Sequence, residues 1–187
     1  MKKLSMMCLL ALGAWTFQAC GDSSKSKDST ERAEEANEDK DAVAEDDSEF
    51  AVTAASGGML EVELGQMAQQ KSQNQRVKTF AAMMVTDHTK ANEELKSLAA
   101  AKNVTLPTTM GEDHQKHIDD LSKLSGAEFD KEYVDLMVED HEKDVKLFSE
   151  AADEAKDAEM KAFAAKILPT LQQHLTEIKG IKDSMKQ

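Results

Sequence analysis

The chain has 187 residues and a formal net charge of −13, with 36 acidic against 23 basic residues and 4% aromatic side chains. A chain this acidic, without a basic stripe to face phosphates, is predicted to be a poor nucleic-acid binder. With 2 cysteines and no Gly-rich phosphate loop, the sequence also gives no support for a thiolate metal cluster or a nucleotide site.

The first 19 residues have the pattern of a secretory signal peptide. Two lysines precede the apolar run 4–17, which is too short for a comfortable membrane span, and Ala19 stands at a possible cleavage point. The following "FQAC" resembles a bacterial lipobox, in which Cys20 becomes the lipid-modified first residue of the mature chain. We therefore predict an exported lipoprotein, held at the outer membrane by the lipid on Cys20 and facing the periplasm or the cell surface. Plain secretion is the alternative, and it would leave one unexplained free thiol.

Residues 20–49 are predicted to form an acidic disordered tether. From residue 21 to 49 the chain has 12 acidic and 4 basic residues and almost no apolar side chains beyond alanine. Such a segment has little surface to bury, so it is expected to stay extended and to hold the domain 50–187 away from the membrane.

Residues 50–187 are predicted to be all-α, because Ala, Glu, Lys, Leu and Met dominate and strand-like runs are missing. Start and stop signals predict helices over about 48–70, 72–102, 112–124, 125–156 and 157–185. Ser72, Ser125 and Asp157 are the expected capping residues. Two long antiparallel hairpins, joined by a crossover that carries a short helix, predict a ferritin-like four-helix bundle.

Three of the histidines interrupt apolar stripes near the middles of three different long helices. They are His88, His141 and His174. Met84 and Leu95, for example, share a helix face with His88, so its imidazole is expected to point into the core. The first long helix offers Glu61 among small residues, and at about 1.5 Å rise per residue all four side chains can share one layer about two turns thick.

Two of these histidines follow an aspartate within a repeated pattern. "MMVTDHTK" at 83–90 returns as "LMVEDHEK" at 136–143, which places Asp87 and Asp140 directly before a buried histidine. Neighbouring residues on a helix point about 100° apart, so an Asp-His pair cannot simply chelate one ion together. The two aspartates are therefore candidates either for additional ligands or for acceptors of imidazole N–H groups.

Two functions from different classes remain open. Three imidazoles and a carboxylate suit Fe, Zn, Mn or Cu, whereas a hydrogen-bonded polar layer that fixes the register of a bundle would use the same residues. Our first interpretation is the second one, a non-catalytic structural or interaction module. The alternative is a transition-metal-binding protein with a role in metal handling or oxidative stress.

The sequence does not favour an enzyme. Bundle di-iron enzymes carry Glu-x-x-His on two helices, but Val85, Val138 and Leu171 stand three residues before the buried histidines. A standard oxygen-activating di-iron site is therefore not expected, and no catalytic residue is assigned. Met84 and Met137, each one turn before a histidine, are candidates for copper ligation or for core packing.

An ordered set of motifs resembles the bacterial envelope family called domain of unknown function 4142, within the ferritin-like superfamily. The motifs span about residues 48–182 and include "AASGGMLEVELGQMAQQKS", "VKTFAAMMVTDHTKANEEL", "FDKEYVDLMVEDHEKDVKLF" and "KAFAAKILPTLQQHL". The resemblance implies a secreted or lipid-anchored four-helix domain and no established activity. The residues that match the family's pattern are Glu61, Asp87, His88, His141, Pro169 and His174.

Overall fold

The computed structural model describes residues 27–38, 40 and 43–185. The predicted signal peptide 1–19 and the predicted lipid attachment at Cys20 lie outside the described residues. Within the described ranges the chain forms six helices and no strand. They are α1 (Ser29–Glu38), α2 (Glu45–Lys71), α3 (Gln75–Ala101), α4 (Glu112–Ser122), α5 (Gly126–Glu154) and α6 (Ala158–Ser184).

The four long helices form the two predicted hairpins. α2 packs mainly against α3 and α5 mainly against α6, while α3 with α6 and α2 with α5 join the hairpins into one bundle. The short α4 lies in the crossover between them and contacts α2 and α5. The predicted all-α bundle with a crossover helix is thereby confirmed. No helix in the described part of the chain has both the length and the apolar content that a membrane span requires.

The turns at the two hairpin ends are held by side chains. Asp157 caps α6, because its carboxylate accepts hydrogen bonds from the Glu159 and Met160 amides at 2.9 and 3.0 Å, as predicted. The expectation that Ser72 caps α3 is wrong: Asn74 is the cap and accepts from the Arg76 amide at 2.9 Å. Ser72 instead terminates α2, since its backbone N–H still bonds within that helix.

The start of α5 also differs from prediction. Ser125 occupies the N-cap position, but its side chain makes no capping hydrogen bond. The next residue, Gly126, has a φ of 60°, a left-handed conformation that glycine adopts at little cost. The start of α5 therefore depends on the left-handed backbone conformation of Gly126, and the predicted capping box does not form.

The segment predicted as a disordered tether contains α1, so that prediction is wrong for Ser29–Glu38. Ala33 is buried, and the Asn37 side chain donates to the Thr105 carbonyl at 2.9 Å and accepts from the Thr105 amide at 2.7 Å. Composition could not reveal this, because the helix is held by polar groups that satisfy the irregular backbone of the crossover and by few apolar contacts. The folded domain accordingly begins before residue 50, and α2 already starts at Glu45.

A layer of polar residues divides the apolar core into two clusters. On α3, Met84 belongs to one cluster and Leu95 to the other, with His88 between them. On α5 and α6, His141 and His174 likewise separate residues of the two clusters. The fold therefore brings one histidine from each of three helices to the same level of the bundle.

Candidate metal centre

The three core histidines form a nearly equilateral triangle. Their ring centroids are 5.7 Å apart for His88 and His141, 5.4 Å for His88 and His174, and 5.6 Å for His141 and His174. All three side chains are buried. One ring nitrogen from each lies within 4.8 Å of the other two, which is the arrangement of three ligands around a common point.

Each of the three rings has one nitrogen engaged by an oxygen acceptor. The pairs are His88 Nδ1 with Glu61 Oε2 at 2.6 Å, His141 Nδ1 with the Met137 carbonyl oxygen at 2.9 Å, and His174 Nε2 with Asp87 Oδ2 at 3.0 Å. An acceptor on one ring nitrogen fixes the N–H there and leaves the lone pair on the other nitrogen. The three contacts therefore define the tautomer of all three rings.

The remaining nitrogen of each ring has no hydrogen-bond partner. His88 Nε2, His141 Nε2 and His174 Nδ1 are all buried and form no hydrogen bond; His141 Nε2 lies 3.4 Å from Glu61 Oε1. Buried polar atoms in folded proteins are normally paired, so three unpaired lone pairs in one layer are unusual. Histidine ligands of a metal show the same arrangement, because an acceptor on one ring nitrogen leaves the other nitrogen for the ion.

The histidines are neutral near pH 7. Burial lowers the pKa of His88, and burial also lowers the pKa of His174 despite the opposing effect of Asp87. Burial, together with the two neighbouring imidazoles, lowers the pKa of His141 to about 3. Since only the neutral imidazole has a free lone pair, the layer is in the protonation state that metal binding requires.

A second group of three acidic side chains adjoins the histidines. Glu61, Asp140 and Asp144 each offer one oxygen within 4.8 Å of the others. Glu61 Oε1 and Asp140 Oδ2 are buried without a hydrogen-bond partner. Burial, with its acidic neighbours, raises the pKa of Asp140 to about 7 and raises the pKa values of Glu61 and Asp144 well above their usual range.

Gly58 on α2 makes room for this layer, because a Cβ there would overlap the Asn92 side chain. Next to it is a cavity of about 20 Å³ with Glu61, Asn92 and Asp144 among its lining residues. That volume accommodates a single water-sized species.

The layer opens to solvent between α3 and α6. A surface cavity of about 140 Å³ is lined by polar groups that include Asp87, His88 and His174. The Asp87 side chain is 39% exposed, and Lys166 pairs with Glu94 at 2.8 Å on the cavity wall. An ion can therefore reach two of the histidines past a carboxylate.

The structure brings Glu61, His88, His141 and His174 together, which the sequence predicted from helix faces. Asp87 is an N–H acceptor, but for His174 on α6 and not for its own neighbour. Asp140 lies in a group with two other acidic side chains, Glu61 and Asp144, and not in the group of three histidines. The predicted copper candidates Met84 and Met137 belong to the apolar cluster, and Met137 also provides the carbonyl that orients His141.

Asp144 was missed in the sequence, although a signal for it was present. It stands three residues after His141 and four after Asp140, so it shares their helix face. The equivalent position after His88 is Ala91, and the apolar Val145 beside Asp144 made the stripe look continuous. A charged residue at the i+3 position of a buried histidine was the available clue.

Comparison with known proteins gives a family and a fold. A family model described as "Domain of unknown function (DUF4142)" matches residues 32–181, and this match begins inside α1. No curated protein matches the chain significantly.

Solved structures share the bundle at low sequence identity. A DUF305 fragment from Deinococcus radiodurans has a TM-score of 0.67 and 14% identity, covering 76% of this chain and 98% of that one. CopM in its Cu(II)-bound form has a TM-score of 0.63 and 19% identity, and in its Cu(I)-bound form 0.63 and 18%; each covers 74% of this chain and 96% of CopM. At these identities the likeness is one of fold.

Proposed function

Because the chain belongs to DUF4142, a family described only as a domain of unknown function, we propose its role from the site itself. The domain binds a transition-metal ion through His88, His141 and His174. The acceptors Glu61 and Asp87 orient two of the imidazoles from outside the ligand set. This proposal takes up the metal-binding alternative in preference to our first interpretation, a non-catalytic structural or interaction module.

The observation that carries this proposal is the set of three unpaired imidazole nitrogens. A layer that served only to fix the register of the bundle would pair its buried polar atoms, since each unpaired one costs about 1–3 kcal/mol. Here each ring has one nitrogen engaged by an oxygen and one that forms no hydrogen bond, and for His141 the second nitrogen has a longer contact of 3.4 Å with Glu61 Oε1. One metal ion would be a partner for all three free nitrogens.

The spacing of the nitrogens supports a single ion. Metal–imidazole bonds are about 2.0–2.1 Å long, so nitrogens around a tetrahedral ion are about 3.3 Å apart. One ring nitrogen of each histidine lies within 4.8 Å of the other two, and rotations of the rings would close the remaining difference.

Copper is the first ion to consider. Neutral imidazoles suit Cu, Zn, Ni and Fe, and Cu(II) is bound most tightly by a given nitrogen site among the divalent first-row metals. The likeness of the fold to CopM, which was solved with Cu(II), Cu(I) and Ag, supports this choice. Zinc is the competing ion, because it accepts the same ligands in tetrahedral geometry.

We further propose that the ion is handled in the cell envelope. This rests on the signal-like residues 1–19 and on Cys20 in a lipobox-like context. Cells that express the full chain and are fed a labelled fatty acid are expected to label the protein, and Cys20→Ala is expected to abolish the label. Labelling that persists in Cys20→Ala would contradict the lipid anchor.

Metal content tests the binding proposal. The full chain, purified without a polyhistidine tag and incubated with Cu(II) or Zn(II), is expected to retain an ion at the histidines after removal of excess metal. It is also expected to melt at higher temperature, since a ligand that binds only the folded state stabilises it. His141→Ala is expected to lose both effects, whereas His117→Ala, which removes a histidine outside the layer, is expected to keep them. Absence of copper and zinc from the wild-type chain would return the layer to a structural role.

A further inference from the structure

We propose that Glu61, Asp140 and Asp144 form a second cation site, which shares Glu61 with the histidine layer and makes the centre a two-ion centre. That the centre holds two ions rests on the proposed function, which places the first ion at the histidines. The second site is built from oxygen ligands only and therefore takes a different class of ion. It selects a divalent cation that prefers carboxylates.

Unpaired buried oxygens are the first support for this site. Glu61 and Asp140 are 1% and 9% exposed, and each has one carboxylate oxygen that forms no hydrogen bond with a donor group; Glu61 also shares a proton with Asp144, and its Oε1 lies 3.4 Å from His141 Nε2. Asp140 and Asp144 lie one turn apart on α5 and face Glu61 on α2, with one oxygen of each within 4.8 Å. One cation can contact an oxygen from all three side chains, whereas one proton can be shared by only two oxygens.

The number of carboxyl groups matches two ions. Four of them surround the layer: Glu61, Asp87, Asp140 and Asp144. The three imidazoles are neutral, and the nearby Lys143 has its side chain 67% exposed. When both sites are occupied and the carboxyl groups are ionised, the four positive charges of two divalent ions balance the four carboxylates.

The structure also provides room and a link between the two sites. The cavity of about 20 Å³ has Glu61, His88 and Asp144 on its wall, while Asp140 lies outside its lining, and it is large enough for one ion. Glu61 Oε2 contacts His88 Nδ1 at 2.6 Å, while Oε1 lies 3.4 Å from His141 Nε2. The same side chain therefore orients a ligand of the first ion and provides a ligand to the second.

Oxygen-only ligand sets favour Mg²⁺, Ca²⁺ and Mn²⁺ over copper or zinc. Mn²⁺ is the most useful probe, because its free and bound forms are distinguished by electron paramagnetic resonance. The copper- or zinc-loaded full chain is expected to bind one further equivalent of Mn²⁺. Asp140→Asn and Asp144→Asn are each expected to weaken Mn²⁺ binding at least tenfold while the ion at the histidines is retained.

Asp153→Asn is the matched control, since Asp153 is an exposed aspartate on the same helix. Circular dichroism checks that each variant is folded, and asparagine keeps the size of the replaced side chain. Unchanged Mn²⁺ binding in both Asp140→Asn and Asp144→Asn, or no Mn²⁺ binding in the wild type, would overturn the second site and leave the histidine site standing. Mn²⁺ binding that depends on these aspartates in a chain that takes up no copper or zinc would support the second site and remove the proposed function.

Discussion

Asp87 on α3 lies 3.0 Å from His174 on α6, so the aspartate that precedes His88 in the sequence serves a histidine of the other hairpin. The contact spans the interface between the hairpins and fixes the orientation of the His174 ring within the layer. It connects the assembly of the bundle with the geometry of the proposed site.

Asp87→Asn is expected to weaken binding of copper at the histidines by about 10–100-fold, the usual effect of removing an outer-shell acceptor. Asp87 is partly exposed, so stability of the metal-free protein is expected to change little. Isothermal titration with a competing chelator measures the affinity. Glu93→Gln, an exposed change on the same helix, is the control; equal affinities for the two variants would show that Asp87 does not orient a ligand.

Glu61→Gln is expected to affect both ions. The amide keeps the size of the side chain but removes the negative charge that orients His88 and faces Asp140 and Asp144, so Mn²⁺ binding is expected to fall below detection. Copper affinity is expected to fall about 10–100-fold. Glu63→Gln, exposed and two residues away, is expected to bind both ions normally. Full Mn²⁺ binding by Glu61→Gln would contradict a shared carboxylate.

The metal-free protein is expected to lose stability as the pH rises from about 7.5 to 9. Burial raises the folded-state pKa of Asp140 to about 7 and raises the pKa values of Glu61 and Asp144 well above their usual range, so the folded state holds protons that the unfolded chain releases near pH 4. Stability from those protons is present at low pH and is lost as the pH rises through the folded-state pKa values. The core histidines have lowered pKa values and act in the opposite direction near pH 6.5, where the unfolded chain is partly protonated, but above about pH 7.5 they are mostly neutral in both states.

Chemical denaturation at several pH values measures this effect. Each carboxyl that loses its proton contributes a slope of up to about 1.4 kcal/mol per pH unit. Asp140→Asn is expected to be more stable than wild type at pH 8 without metal and to have a flatter profile, whereas Asp153→Asn is expected to follow the wild type. A wild-type profile that rises over this range would contradict the protonation states described for the layer.

Asn37→Ala is expected to destabilise the domain by about 1–2 kcal/mol, because both the N–H and the carbonyl of Thr105 lose their partner. The exposed Glu38→Ala serves as the control on the same helix. Thermal unfolding measures the loss, and limited proteolysis is expected to cut α1 faster in Asn37→Ala only. If Asn37→Ala matched Glu38→Ala in both assays, α1 would not be docked in the way the contacts indicate.

The convergence of the histidines was predictable from two properties of helices. The periodicity of the helix determines which face each side chain is on, and the rise per residue determines its height along the bundle. His88, His141 and His174 each interrupt an apolar stripe at a similar height, so an all-helical bundle had to bring them together. Asp157 was likewise predictable as a cap, since capping depends on residues only two or three positions away.

Contacts between helices could not be predicted in the same way. Which histidine Asp87 serves depends on how α3 and α6 are rotated against each other. The docking of α1 depends on Asn37 meeting Thr105, 68 positions away. Polar pairings of this kind leave no periodic signal, and for that reason an acidic segment with few apolar residues was wrongly predicted to be extended.

Binding of copper by the three core histidines is tested most directly by X-ray absorption spectroscopy at the copper edge of the copper-loaded full chain. About three imidazole nitrogens are expected at about 2 Å from the ion, with one fewer in His174→Ala and no change in His117→Ala. A spectrum without imidazole scattering, or one that is identical in wild type and His174→Ala, would contradict binding of copper by the three core histidines.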